Sequence, residues 1–193
     1  MAVVVLSACS SFDQPHLPTP LAQRPVSVVL ERAQLATGGD LGNETFACDG
    51  LSQAEPPACN RMMAVEGVDW SSLNAPEPTD RARQRVTTAG DLYGSFDGCK
   101  LVVQSIKPAG SRRGPAAPKF KPANPFPTAE KAIDVASSVE RRDACDGKVR
   151  VVLTSGAAGK AVEIDVLWAD QATVKALRAQ YGPITVSSRL IPA

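Results

Sequence analysis

Val86-Thr87-Thr88-Ala89-Gly90-Asp91-Leu92-Tyr93-Gly94-Ser95-Phe96-Asp97-Gly98-Cys99-Lys100-Leu101-Val102-Val103-Gln104-Ser105-Ile106 is the stretch whose reading decides the fold. Up to Phe96 it reads as an extended strand interrupted by glycines, and from Lys100 to Ile106 as a second strand. Asp97-Gly98 between them is a hairpin signal, because glycine tolerates the positive φ that tight turns require. Upstream, Val26-Ser27-Val28-Val29-Leu30 is rich in β-branched residues and reads as a strand. A glycine-rich turn region over 38–43 separates it from Phe46-Ala47-Cys48 and from a segment ending Val65-Glu66-Gly67-Val68-Asp69-Trp70. Several short strands around turns predict a small β-barrel or sandwich over residues 26–106, with an OB-like barrel as the named candidate.

Residues 128–193 carry a different pattern. Thr128 suits a helix N-cap, and Ala129, Ala132, Ile133, Ala136 and Val139 then recur at helical spacing. Arg141 and Arg142 suit the negative end of that helix dipole. After the turn at Asp146-Gly147, Val149, Val151 and Leu153 alternate along one strand, and Val162, Ile164 and Val166 along another. Asp170 caps a helix bearing Val174, Leu177 and Tyr181, which Gly182-Pro183 ends before a last strand at Ile184-Thr185-Val186. The order is αββαβ, a three-stranded sheet with two helices on one face, so the fold class is α+β. Between the two modules, residues 107–127 hold six prolines together with Arg112, Arg113, Lys119 and Lys121. Such composition makes a stiff linker or long loop. Its two P-x-x-P matches follow from composition alone.

The charge balance narrows the function classes. The 21 basic and 20 acidic residues nearly cancel, which argues against a nucleic-acid partner, whose affinity comes from neutralising many phosphates. No apolar run of about 20 residues is present to span a membrane. With sixteen prolines and 5% aromatics, the modules have modest cores and benefit from covalent staples. Cys48, Cys59, Cys99 and Cys145 supply them, an even number that suits an oxidising compartment. Three pairings are open, and loop logic favours Cys48–Cys59 as a local staple and Cys99–Cys145 as a longer one. Each contributes about 2–4 kcal/mol by restricting the unfolded chain.

The fifth cysteine, Cys9, has another role. Met1 to Cys9 ends in Leu6-Ser7-Ala8-Cys9, which resembles a bacterial lipobox, where an apolar run reaches small residues before a lipid-bearing cysteine. Residues 1–9 then form the remnant of a signal peptide, and the polar, proline-punctuated run 10–25 forms a flexible tether. The expected address is extracytoplasmic, anchored to the bacterial cell membrane through lipid on Cys9.

Catalytic and metal constellations are poorly supported. The single histidine, His16, lies in the tether, which leaves nucleophilic schemes without a base and a zinc site without ligands. Neither a phosphate-cradling glycine motif nor a nucleophile elbow is present. Asp91 with Asp97, and Glu163 with Asp165, are the carboxylate pairs available. Glu163 and Asp165 alternate with apolar residues and read as a solvated strand face. Trp70 reads as a core plug with a ligand platform as the alternative, and Trp168 as packing. Arg81, Arg83 and Arg85 read as solvated. No cofactor and no enzymatic activity is expected.

Pro56-Pro57-Ala58-Cys59, then Val68-Asp69-Trp70, then Gly94-Ser95-Phe96-Asp97-Gly98-Cys99-Lys100-Leu101-Val102-Val103 together resemble an uncharacterised group of secreted actinobacterial lipoproteins. The similarity covers roughly Phe46 to Val103 and extends to the αββαβ order. This chain departs from the pattern at Val68, before Asp69, and at Cys99, after the hairpin turn. The resemblance implies an address and an architecture, namely a non-catalytic envelope lipoprotein that binds or supports an envelope partner. The αββαβ order is also similar to that of BON domains, which implies phospholipid headgroups as the alternative partner.

Overall fold

The structure, a computed structural model, describes residues 25–53, 58–74, 84–140, 142–146 and 149–193. Cys9 and its lipobox, the tether up to Arg24 with His16, Pro56, Pro57, Arg81, Arg83, Arg141 and Gly147 lie outside the described residues.

Five strands come first: β1 (Val26–Gly38), β2 (Thr45–Leu51), β3 (Cys59–Glu66), β4 (Gln84–Phe96) and β5 (Lys100–Lys107). β1 pairs with both β2 and β4, β2 with β3, and β4 with β5, all antiparallel. The ring closes because β3 and β5 pair in parallel, Ala64 opposite Lys100 and Glu66 opposite Val102. The result is a closed five-stranded barrel. The glycines within β4 keep the strand continuous. A Cβ on Gly94 would collide with the carbonyl oxygen of Val102, so its absence lets β5 press against β4. Val28, Leu35, Ala47, Met63, Val65, Leu92, Phe96 and Leu101 fill the interior.

The rest of the chain forms β6 (Lys119–Phe120), α1 (Ala129–Ser138), β7 (Arg142–Ala144), β8 (Val149–Ala158), β9 (Ala161–Val166), α2 (Gln171–Tyr181), β10 (Thr185–Ser188) and β11 (Ile191–Pro192). β8, β9, β10 and β6 make a second sheet, antiparallel except for the β9–β10 pair. Both caps act as expected: Thr128 Oγ1 accepts from Lys131 N–H, and Asp170 Oδ1 from Thr173 N–H. Ala132 of α1 and Val174 and Leu177 of α2 share one cluster with Val162, Ile164, Val166 and Val186, so both helices cover the same face.

Three details differ from the sequence reading. Ile133, counted on the buried stripe of α1, is 56% exposed, because this helix buries only the narrow line through Ala132, Val135 and Ala136. Arg142 opens β7 rather than closing α1, which stops at Ser138. Two further strands, β6 and β11, bracket the module.

The two modules share a core. Val151 and Leu153 of β8, with Leu167 and Leu190, are buried in the barrel's cluster. Val152, between them on β8, belongs to the helix-covered cluster. β8 is thus a wall with one face in each core. β11 reinforces the join by pairing with β1, Val28 opposite Pro192. The proline-rich stretch connects the modules while packed on the second sheet: β6 pairs with β10, and Phe126 is buried with its N–H donated to Lys160 O.

Two disulfides, Cys48–Cys59 and Cys99–Cys145, bring their Cα atoms to 5.3 and 5.6 Å, the pairing that loop logic favours. They point to an oxidising, extracytoplasmic environment. No described helix is long and apolar enough to cross a membrane.

Candidate functional site

The turn after β4 is set by one carboxylate. Asp97 Oδ1 accepts from the backbone N–H of Cys99 at 2.8 Å and of Lys100 at 2.9 Å. This side chain-to-backbone grip fixes the direction in which β5 departs. Lys100 is thereby presented to Glu66 at the end of β3, Nζ to Oε1 at 2.8 Å. Its hydrogen bond to Glu66 raises the Lys100 pKa against the opposing effect of desolvation, and the charges of Glu66 and Asp97 add to the rise. Beyond Glu66 the chain bends at Gly67, whose φ is 78°. A Cβ there would lie 2.7 Å from Val103 O, so only glycine lets the backbone cross β5 so closely.

Asn43 and Glu44, between β1 and β2, and Thr45, which opens β2, face this bend across a cleft of about 510 Å³. Ala64, Val65 and Val68 give it an apolar surface, while Glu66 and Lys100 supply charge and Cys99 one wall. The cleft thus combines an apolar surface with donors and acceptors, an arrangement suited to orienting a ligand. Thr45 also anchors Trp70: the indole Nε1–H donates to Thr45 Oγ1 at 2.9 Å. The Arg85 guanidinium lies 5.3 Å from the Trp70 ring centroid, and the indole packs against the barrel core. Asp69, whose carboxylate accepts from the Ser71 hydroxyl and N–H, caps the short 3₁₀ turn that carries the tryptophan. Those hydrogen bonds lower the Asp69 pKa. Trp70 is thus half-buried, packed against the barrel core and hydrogen-bonded to Thr45, with Arg85 beside its ring.

The other predicted residues lie elsewhere. Asp91 is fully buried, and its Oδ1 accepts from Arg32 N–H at 3.0 Å and Gly110 N–H at 3.3 Å. Burial alone would raise its pKa. The backbone N–H groups of Arg32, Gly110, Arg112 and Ser111 outweigh burial and lower it. Asp91 thus clamps the irregularity in β1 at Arg32, where φ is 48°, to the turn following β5. It does not join Asp97, which serves the hairpin turn. Trp168 is half-buried against the barrel core.

Glu163 and Asp165 line the open face of the second sheet, beside a depression of about 380 Å³. Glu163 is engaged by Lys119 Nζ at 2.6 Å and by Ser187 Oγ at 2.6 Å, and Asp165 by Thr154 Oγ1 at 2.9 Å. The Lys119 hydrogen bond, then that of Ser187, lowers the Glu163 pKa despite partial burial. Because both members of the ion pair are 44% exposed, Glu163→Gln is expected to cost at most about 1 kcal/mol in urea unfolding at neutral pH. With its folded pKa below its ordinary value of 4.5, that contribution is present above about pH 4.5 and fades as pH falls through the folded pKa.

The cleft itself was not legible beforehand. Its lining joins residues 43–45, 64–68 and 99–100, which are far apart in sequence and are brought together with the parallel β3–β5 pairing. The two turn signals were readable, but their convergence was not. Compared with known protein families, curated proteins and solved structures, the chain matches none.

Proposed function

We propose that this chain is a non-catalytic, cell-envelope lipoprotein whose barrel is a binding module, seating its ligand in the cleft between the β1–β2 and β4–β5 turns. The barrel's strand ring, β1-β2-β3-β5-β4, carries this reading. OB-like barrels bind through the face of their second and third strands and the two turns that flank it, and the cleft lies there. That step is an analogy of fold, and the chemistry of the cleft limits it. Glu44 and Glu66 beside a single lysine disfavour a polyanion, so the expected ligand is a neutral or basic envelope component, such as a peptide or a glycan. The lipobox-like Leu6-Ser7-Ala8-Cys9 and the two disulfides support the envelope address.

The alternative is a lipid-surface module related in element order to BON domains. The arrangement of α1, β8, β9, α2 and β10 favours it, with both helices on one face. An NMR titration of residues 25–193 with soluble envelope peptides and glycan fragments, beside one with anionic phospholipid vesicles, separates the two. Shifts gathered at Asn43, Thr45, Gly67 and Lys100 with the soluble ligands are the expected result. Shifts confined to the second module with vesicles would replace this reading by the alternative. Intact mass of the membrane fraction, starting at Cys9 with acyl mass, tests the anchor separately.

A further inference from the structure

The two disulfides hold different things. Cys48–Cys59 staples neighbouring strands β2 and β3, with Cys48 buried and Cys59 partly exposed. Cys99–Cys145 spans 46 residues and ties the barrel's β4–β5 turn to the β7–β8 turn of the second module. Both of its half-cystines are partly exposed, and Cys99 is a wall of the cleft. Close by, β3 and β8 pair at Met63 opposite Val149, the one such pairing among the described residues.

The turn it holds is conformationally costly. Cys145 and Asp146 both adopt left-handed backbone, with φ of 54° and 55°. L-residues avoid that region, and a surrounding constraint must impose it. The modules have a second connection besides the disulfide, the shared cluster that includes Val151, Leu153, Leu167 and Leu190. Cutting the tie therefore releases two turns and one wall of the cleft without dismantling either core.

We propose that Cys99–Cys145 is a redox latch on the cleft, opened by an envelope dithiol in preference to Cys48–Cys59. A thiolate of the dithiol attacks one sulfur of the latch, breaking the S–S bond and forming a mixed disulfide. The second thiol then resolves it. Two electrons and two protons pass to Cys99 and Cys145, which become thiols, and the reductant leaves as its own disulfide. What the latch does for the protein rests on the cleft being the ligand seat, but the chemistry does not.

The test is a dithiothreitol titration of the native full chain, quenched by alkylation, with peptide mapping and hydrogen exchange on the same samples. Cys99 and Cys145 should be alkylated at about ten-fold less reductant than Cys48 and Cys59. Amides of residues 98–101 and 143–146 should then exchange about ten-fold faster, while those of β4 and β9 keep their protection. Alkylation of Cys48 and Cys59 first or in step, or unchanged exchange at the two turns, would overturn the latch. A Cys99→Ser/Cys145→Ser variant should reproduce the faster exchange without reductant. If it does not fold, the proposal is wrong, because the shared core would then depend on the tie. None of these readouts uses a ligand, so failure of the ligand-seat reading registers only in the NMR titration.

Discussion

Asp91→Ala is expected to lower the unfolding free energy by about 3–5 kcal/mol, since it removes charge-assisted hydrogen bonds that a fully buried carboxylate makes to part-buried backbone amides. The carboxylate is the acceptor on which β1 at Arg32 and the 110–112 turn both converge. Asp91→Asn keeps one acceptor oxygen but turns an NH₂ toward the same donors, so it should fall between alanine and the wild type. Asp97→Ala is the control: it loses one turn cap, at about 1 kcal/mol. Urea unfolding followed by tryptophan fluorescence gives all three. The pH dependence has a definite sign. Because the folded pKa of Asp91 lies below its ordinary value of 3.8, its contribution is complete above about pH 4 and is lost as pH falls through the folded pKa. The gap between wild type and Asp91→Ala should therefore be constant near neutrality and narrow in acid. A gap below about 1 kcal/mol at pH 7 would mean that the clamp contributes no more than an ordinary surface cap.

Leu153→Ala is expected to cost about 3–4 kcal/mol, as a fully buried leucine whose neighbours belong to two modules. Its diagnostic value lies in how the cost is distributed. Leu153 stands on β8 of the second sheet, yet its side chain is in the barrel. Fluorescence reports largely on Trp70 and Trp168, both packed against the barrel core, while far-UV circular dichroism reports on α1 and α2. One coincident transition, shifted equally in both signals, is the expected outcome for a shared core. Two separated transitions, with only the fluorescence moved, would show that the modules unfold independently and that β8 couples them weakly.

β8 also shows where local pattern misleads. The alternation of Val149, Val151 and Leu153 is a sound strand signal, and on its own it implies one buried face. In the structure Val151 and Leu153 serve the barrel while Val152 serves the helices, so the strand is buried on both sides there. Nothing in the local sequence announces that, because the second face is created by barrel strands remote along the chain. Ile133 is the converse case: a helical repeat counted it as core, and no neighbouring element arrives to cover it.

What the sequence determined by itself is therefore the local grammar. The Asp97-Gly98 hairpin, the caps at Thr128 and Asp170 and the stop at Gly182 all depend on residues close along the chain, while the cysteine pairing was favoured by loop closure but left open. Side chain-to-backbone hydrogen bonds and glycine's tolerance of positive φ act over a few residues, so they survive translation from sequence to structure. Only the tertiary structure decided that β3 and β5 close a barrel, that the second module completes its core, that Asp91 is a buried clamp rather than a partner of Asp97, and that two distant turns frame a cleft. Each of these requires segments remote in sequence to meet, and the burial and hydrogen bonding that stabilise such meetings exist only once the whole chain has folded.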